Sequence, residues 1–310
     1  FASGARVLTS DQCNFTSSQE GSKPTWTAGL DYKLQPDLLL YGKVSRGYKA
    51  GGFNTNAVRP ETRTFGPESV TAYELGFKSD FTIADMPVRF NADIFRTDYD
   101  KIQRAAGDAN LATGSVGAQI ISVAAARIDG VELETVIKPI PPLELGLTYS
   151  HLDAEYTKYN YPVPVGVVQI EDCDGNAFFG AGGVANMKCL PLQYLSPNNL
   201  NVYGRYNFTD NVSVFVNYSW SDDQHTEALQ LESIQPGERL KAYGLLNASF
   251  DWKRINGSNI DLSIFGTNLT DEVYRISNSD VYQLGALGAW SSLYGEPRMV
   301  GARLRYNWGG

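Results

Sequence analysis

Two histidines lie close to carboxylates in this chain, and such groups could act as general bases or bind a metal. His151 stands near Asp153 and Glu155, and His225 stands near Asp222, Asp223 and Glu227. A catalytic base needs a nucleophile within hydrogen-bond reach, and no Ser or Cys signature accompanies either histidine. We therefore predict no catalytic residues and interpret both groups as solvated side chains at or beyond the ends of strands.

A second cluster of oxygen ligands has the spacing of a calcium loop. Asp172, Asp174 and Asn176 surround Gly175. The later bidentate carboxylate of such a loop is missing at the right offset. Turn chemistry explains these residues better, and no metal site or cofactor is predicted.

The chain contains 3 cysteines. Cys173 and Cys189 bracket a polar, glycine-rich loop without a nearby His, which favours a disulfide in an oxidising compartment over a metal site. Closing a loop of about 15 residues stabilises a protein by roughly 3 kcal/mol on the chain-entropy model. Cys13 is left either with a partner further upstream or as a free buried thiol.

Composition narrows the class of protein. Aromatic residues make up 12% of the chain and charged residues 19%, while soluble domains have about 25% charged residues. The formal net charge of -8 argues against a nucleic-acid partner, because phosphate binding needs clustered Lys and Arg. No apolar stretch approaches the roughly 20 residues of a spanning helix, so spanning helices are excluded in this chain.

The end of the chain alternates between apolar and polar residues. Its apolar members are Val300, Ala302, Leu304, Tyr306 and Trp308. Such a strand has one apolar and one polar face. The same alternation recurs back to Trp26 and predicts about eleven strands, in which short turns alternate with long loops. The long loops are predicted at about residues 49–67, 103–117, 159–190, 222–239 and 269–296.

This pattern is typical of an all-β, antiparallel transmembrane β-barrel with short periplasmic turns and long external loops. An odd number of strands that starts after a long loop ends on the periplasmic side. Aromatic residues at strand ends, such as Trp26, Tyr149, Trp220 and Trp252, suit the membrane interface. The alternative is a soluble sandwich or solenoid, which would have to expose many large apolar side chains to water.

Polar residues of the strands are expected to face the barrel lumen and to brace whatever fills it. These residues are Glu74, Lys78, Arg89, Asp93, Glu132 and Glu134. Candidates for ligand contact lie where the second strand opens into its external loop, namely Arg46, Tyr48, Lys49, Phe53 and Asn54. Aromatic and cationic groups suit an anionic, metal-bearing chelate. Alternatively, this segment is a structural rim whose glycines let the strand bend.

Five segments resemble the C-terminal barrel of TonB-dependent outer-membrane receptors. They are residues 41–54 (YGKVSRGYKAGGFN), 67–79 (PESVTAYELGFKS), 126–134 (ARIDGVELE), 266–274 (GTNLTDEVY) and 295–308 (GEPRMVGARLRYNW). They occur in family order and with the expected strand parity. The likeness spans almost the whole chain.

The resemblance implies a barrel of about 22 strands with a plug in its lumen. Residues 1–310 are then expected to be the C-terminal part of the barrel, with the plug domain and the N-terminal half of the barrel upstream. Family members end on an aromatic of the insertion signal, which the barrel-assembly machinery recognises. Leu304, Tyr306 and Trp308 match it, although Gly309 and Gly310 follow.

In function, the resemblance implies a receptor in the bacterial outer membrane, embedded in its lipid. Such a receptor imports a scarce ligand, most often a ferric siderophore, with energy delivered by the TonB complex to an N-terminal region. A passive channel of porin type, an outer-membrane barrel enzyme and an adhesin are the alternatives. A plug-like domain upstream would separate the receptor from the channel.

Overall fold

The fold is an antiparallel β-sheet. A computed structural model describes residues 18–57, 60–110, 115–165, 170–178, 181–226, 239–280 and 290–308. Cys13, Glu227, Gly309 and Gly310 lie outside the described residues. Among the described residues, no helix has the length and apolarity to cross a membrane.

Eleven long strands pair in the order in which they occur along the chain. They are β1 (Trp26–Gln35), β2 (Leu38–Lys49), β3 (Glu68–Ile83), β4 (Met86–Asn110), β5 (Ser115–Ile140), β6 (Leu143–Val165), β7 (Asn198–Thr209), β8 (Val212–Ser221), β9 (Tyr243–Trp252), β10 (Ile260–Thr267) and β11 (Met299–Tyr306). Each pairs antiparallel with the next, and β1 and β11 form the two edges of the sheet. The predicted number of strands and the antiparallel barrel fold are confirmed.

Most of the shorter elements lie in the connections at the external end of the sheet, whereas the 3-10 turn Ile255–Gly257 lies in the short turn between β9 and β10 at the other end. Gly52–Phe53 pairs with Thr64–Phe65, Ile170–Glu171 with Ala177–Phe178, Gln224–His225 with Arg239–Leu240, and Arg275–Asp280 with Trp290–Tyr294. Ala181–Asn186 adds to β6, and 3-10 turns span Pro60–Thr62 and Ile255–Gly257. Because these hairpins belong mainly to the long connections, the external end of the sheet carries structure of its own.

The prediction of a loop near residues 103–117 is wrong. There β4 and β5, of 25 and 26 residues, continue as paired strands as far as Asn110 and Ser115. β6, of 23 residues, likewise runs to Val165, beyond the start predicted for the next loop. A spanning strand needs only about 9–11 residues. These three strands therefore project well beyond the membrane on the external side.

The cross-strand register sorts the side chains onto two faces. Leu30, Gly42, Leu75, Ile94 and Val131 lie in one row across β1 to β5. Leu30, Leu75 and Ile94 are 76%, 60% and 55% exposed. Paired residues share a face and successive residues alternate. This row therefore marks one apolar face, called the outer face, and the residues between its members mark the polar inner face.

Close approach between a glycine and an aromatic ring helps the inner face to pack. Tyr203 of β7 pairs with Gly146 of β6, and a Cβ at Gly146 would overlap the Tyr203 ring. The ring covers the backbone of the neighbouring strand, which strengthens the sheet where a side chain is missing. On the outer face, a Cβ at Gly204 would lie 3.4 Å from Leu145 Cδ2, an ordinary contact.

We predict that Gly146→Ala lowers the free energy of unfolding by about 1–3 kcal/mol, because the added methyl displaces the Tyr203 ring. The matched control, Gly204→Ala, should change it by no more than about 0.5 kcal/mol. Urea unfolding of the full-length protein in detergent micelles measures both. Equal stability of the two variants would contradict the packing role of Tyr203.

Candidate functional site at the external mouth

A small apolar cluster is built from the projecting ends of β4, β5 and β6. Ile102, Ala124, Tyr156 and Tyr159 are buried in it, together with Met187 of the following loop. The rings of Tyr156 and Tyr159 lie 4.7 Å apart between centroids. Burial raises the pKa of Tyr159 well above its usual value, so its hydroxyl stays neutral. The cluster is a core above the membrane that holds the loop after β6 against the strands.

A bulge explains why Tyr159 points inward together with Tyr156. The register between β5 and β6 shifts between Ala125 and Ala126. Tyr156, on the near side of the bulge, has the inner-face parity, and Tyr159 pairs with Ala124 beyond it. One extra residue lets both rings point to the same side. The loop that packs on them consequently lies on the inner side of the sheet, above the lumen.

The loop after β6 is held by a disulfide and by one carboxylate. Cys173 and Cys189, the pair proposed from the sequence, are bonded to each other. The Asp172 carboxylate accepts hydrogen bonds from the backbone N–H groups of Asp174 (3.0 Å), Asn176 (2.8 Å) and Asn186 (3.3 Å). Burial raises the pKa of this carboxyl, but the hydrogen bonds outweigh it and lower the pKa below its usual range. The loop is therefore internally braced.

Contacts between the external connections join them into a continuous layer. The backbone N–H of Tyr194 donates to the His225 carbonyl (2.7 Å), and the Arg275 guanidinium donates to the Arg239 carbonyl (2.6 Å). The hydroxyls of Tyr194 and Ser277 are 3.2 Å apart. These bonds link the connections after β6, β8 and β10.

A cavity of about 520 Å³ lies under this layer, at the external mouth. We call it the mouth cavity. Its lining includes Lys49, Glu68, Tyr99, Gln103, Arg104, Leu192, Tyr194 and Asn199. Glu68 accepts a hydrogen bond from the backbone N–H of Gln103 (2.7 Å), and Arg104 donates to the Tyr156 hydroxyl (3.4 Å). Lys49 has no ion-pair partner among the described residues. The cavity thus combines two cations and the Glu68 carboxylate with phenol and amide groups.

The five residues predicted from the sequence to contact a ligand do not lie together in the structure. Lys49 lines the mouth cavity. Arg46 and Tyr48 have the parity of Val44 and Gly42, which puts them on the outer face. The Tyr48 hydroxyl donates to the Gly21 carbonyl (2.9 Å).

The other two candidates, Phe53 and Asn54, lie at the short hairpin between β2 and β3. Phe53 is exposed. The Asn54 side chain donates to the Thr62 carbonyl (2.7 Å) and accepts from the Ile120 N–H (2.7 Å). Asn54 therefore fastens this hairpin to β5.

Sequence reasoning missed Tyr99, Arg104 and Tyr194 as cavity residues. Tyr99 and Arg104 stand in or beside the stretch predicted to be a loop, and Tyr194 stands just after one. Tyr99 has the same strand parity as Asp93, so the sequence could have placed its side chain on the inner face. No periodicity locates Tyr194, because its position depends on its bond to His225.

The six residues predicted to face the lumen share the inner face. Asp93 and Glu132 are direct cross-strand neighbours, Glu74 bonds to Lys43 at 2.6 Å, and Glu134 accepts from the Asn91 amide (2.9 Å). Arg89 pairs with Asp80 at 2.8 Å near the short-turn end. The remaining member is Lys78, which lies over the Tyr41 ring at 5.8 Å. The wall is polar and rich in carboxylates.

The three residues of the predicted insertion signal, Leu304, Tyr306 and Trp308, are exposed. The rings of Tyr306 and Trp308 meet edge to face, with their centroids 4.7 Å apart. His151 lies on the outer face, 2.9 Å from the Asn198 side-chain oxygen, while His225 belongs to the external layer. No group of His, Cys, Asp and Glu suited to a metal ion occurs among the described residues.

Comparison with known proteins decides the family. The family model described as "TonB dependent receptor-like, beta-barrel" matches residues 3–269. The chain belongs to the TonB-dependent receptors. This family consists of outer-membrane transport receptors of Gram-negative bacteria. The resemblance proposed from five short segments is thereby confirmed, as is the location in the outer membrane.

Individual relatives agree with this assignment. The receptor chain is 21% identical over 274 residues to PiuA of Acinetobacter baumannii, named as a probable TonB-dependent siderophore receptor, covering 86% of this chain and 33% of that protein. The ferric yersiniabactin uptake receptor FyuA from Yersinia pestis matches with a TM-score of 0.61 and 18% identity, over 90% of this chain and 36% of that one. The copper transporter OprC matches with a TM-score of 0.63 and 13% identity, over 91% and 39%.

At such identities, the solved structures show a shared fold alone. The receptor chain spans about a third of the length of these relatives. What the whole protein binds is therefore a matter for proposal.

We predict that acid loosens the loop after β6 in this receptor. Because the pKa of Asp172 is lowered in the folded state, its contribution to stability is present above the unfolded value of about 3.9 and is lost as the pH falls through the folded pKa. Hydrogen-exchange protection factors of the Asp174, Asn176 and Asn186 amides should therefore stay constant from neutral pH to about pH 4 and fall below it.

The matched control is Asp172→Asn. It should lower protection of these amides already at neutral pH and remove most of the further loss in acid, while the disulfide stays intact. Protection that does not change with pH in the wild-type protein would contradict the role of the carboxylate.

Proposed function

We propose that the complete protein is an outer-membrane receptor that captures an anionic metal chelate of the ferric siderophore class and imports it with energy supplied through TonB. The observation that carries this proposal is the mouth cavity. Its lining includes Lys49 and Arg104 together with Tyr99 and Tyr194. Cations and aromatic rings bind anionic chelates through charge-assisted hydrogen bonds and ring contacts.

Residues 1–310 form the C-terminal part of the barrel in this proposal. The eleven strands would be half of a barrel of about 22, and the free edges of β1 and β11 would pair with strands of an N-terminal half. A plug domain upstream would fill the lumen and contact Glu74, Lys78, Arg89, Asp93, Glu132 and Glu134. The TonB complex would bind the N-terminal region, and the barrel-assembly machinery would recognise Leu304, Tyr306 and Trp308.

Import requires no covalent change in the ligand, and no catalytic residue is assigned. A site tight enough for a scarce ligand releases it slowly, because affinity differences among related complexes lie mostly in the dissociation rate. Release therefore needs a second conformation that binds the ligand more weakly. In this proposal the energised movement of the plug supplies that conformation.

We predict that removing TonB stops ligand uptake by the complete receptor while surface binding persists, because capture at the mouth is passive and release is energised. Uptake and binding of radiolabelled ferric siderophores, chosen by growth of a receptor-deletion strain under iron limitation, measure the two steps. Unchanged uptake without TonB would favour a passive channel instead.

We further predict that Lys49→Gln and Arg104→Gln each weaken binding of that siderophore about tenfold or more, because a hydrogen bond to a charged group contributes about 1.5–3 kcal/mol. The matched control is Lys158→Gln, since Lys158 is exposed on the opposite face of the projecting strands. Binding to whole cells at equilibrium gives the three affinities. An equal loss in the control, or none in the cavity variants, would count against the mouth cavity as the site.

A further inference from the structure

The inner face of the sheet is divided into a charged part and a neutral part. One cross-strand row consists of Asp93, Glu132, Ser150, Asn199 and Ser221. Along this row, carboxylates on β4 and β5 give way to hydroxyl and amide groups on β6 to β8. The next row toward the short turns repeats the change and consists of Lys78, Asn91, Glu134, Thr148, Asn201 and Ser219. We call the inner face of β2 to β5 the charged wall.

On β6 to β9, the side chains of these two rows and of the row below them are uncharged, and we call this surface the neutral wall. The row below holds Tyr203, Asn217 and Asn247. The Asn217 amide donates to the Asn201 side-chain oxygen (2.8 Å), and the Asn247 amide donates to the Asn217 oxygen (3.4 Å). The Ser221 hydroxyl donates to the Asn199 oxygen (3.1 Å). Because its polar groups bond to one another, the neutral wall needs few hydrogen bonds from whatever fills the lumen.

The charged wall holds carboxylates that its own cations do not pair. Glu74 is bonded to Lys43 at 2.6 Å, whereas Asp93 and Glu132 have no ion-pair partner in the part of the chain that the structure describes. They stand directly opposite each other on β4 and β5. Like charges on neighbouring strands repel each other, and a charge enclosed without a partner is costly. A plug that fills the lumen must therefore bring cations to this pair.

A cavity of about 500 Å³ lies on the neutral wall, and we call it the wall cavity. Its lining includes Thr148, Ser150, Asn201, Ser219 and Tyr243. Glu132 lines its border with the charged wall. Asn199 lines both the wall cavity and the mouth cavity. The wall cavity is therefore adjacent to the mouth cavity and extends from it toward the short turns.

We propose, on the basis of the proposed function, that a ligand released from the mouth cavity moves first into the wall cavity, because the plug separates from the neutral wall and stays attached to the charged wall. Separation from the neutral wall exposes polar groups that already have partners, whereas separation from the charged wall leaves charges unpaired. An anionic chelate is also repelled by Asp93 and Glu132 but not by hydroxyl and amide groups. Both effects favour passage along β6 to β9.

The test compares two isosteric substitutions in the complete receptor, Ser219→Cys on the neutral wall and Ser45→Cys on the charged wall. Each serine stands seven residues beyond the first residue of its strand, Val212 or Leu38, and so at a similar distance from the short turns. Cells are treated with a hydrophilic fluorescent maleimide, and gel fluorescence measures labelling. The wild type gives the background from Cys13, since Cys173 and Cys189 are bonded to each other.

The probes are the ferric complexes of a tris-catecholate and of a carboxylate siderophore, which are both anionic and carry radioactive iron, so that uptake is measured in the same cells. During uptake, labelling of Ser219→Cys should rise about fivefold or more, because the population with a separated plug increases. Labelling of Ser45→Cys should change less than about twofold. Cells without TonB should show no rise in either variant.

A second pair of variants tests the repulsion of the ligand. Ser219→Asp should slow uptake of the anionic complex about fivefold, because like charges repel at close range, while surface binding persists. The matched control, Ser45→Asp, adds the same carboxylate to the charged wall beside Lys43 and should slow uptake less than about twofold. Heat-modified gel mobility verifies that each variant is a folded barrel.

Two sets of outcomes distinguish this proposal from the proposed function. An equal or larger rise in labelling at Ser45→Cys, no rise at Ser219→Cys during measurable uptake, or equal losses of uptake in the two Asp variants would overturn passage along the neutral wall. Failure of the wild type to take up either complex, or uptake that does not need TonB, would overturn the proposed function and this passage with it.

Discussion

Backbone pairing between neighbouring strands is the constraint on which the rest of this structure depends. Inside a bilayer no water is available to bond an N–H or C=O group, so each strand must satisfy its backbone through its neighbours. The unbroken antiparallel order does this for β2 to β10, while β1 and β11 are each paired along one edge. Once the register is set, alternation assigns each side chain to hydrocarbon or to the aqueous lumen. Whether a side chain stands at an odd or even position along its strand thus decides which surroundings it has.

Parity explains why two cations three residues apart have different environments. Arg46 and Lys49 both stand at the external end of β2, yet Arg46 shares the outer face with Val44, and Lys49 lines the mouth cavity. One side chain lies on the outer face of the sheet and the other on the inner face. A ligand site predicted from sequence proximity alone would include both Arg46 and Lys49, although the sheet places them on opposite faces.

Beyond the membrane a different interaction takes over. The projecting ends of β4 to β6 lie in water, where hydrophobic burial stabilises structure. A bulge turns Tyr159 to the same side as Tyr156, and the disulfide loop packs on both rings. The external layer closes over the mouth cavity as a result. The receptor thus combines a wall held by backbone pairing with a mouth held by a small core, a disulfide and loop-to-loop hydrogen bonds.

Alternation and turn length in the sequence alone determined the eleven strands, their two faces and the inner position of residues such as Glu74 and Asp93, because these depend only on a period of two. The sequence also pointed to Cys173 and Cys189. Tertiary structure alone decided how far β4 and β5 project, which way Tyr159 points and where Tyr194 lies. These depend on a bulge and on contacts between connections distant in sequence, which leave no periodic trace.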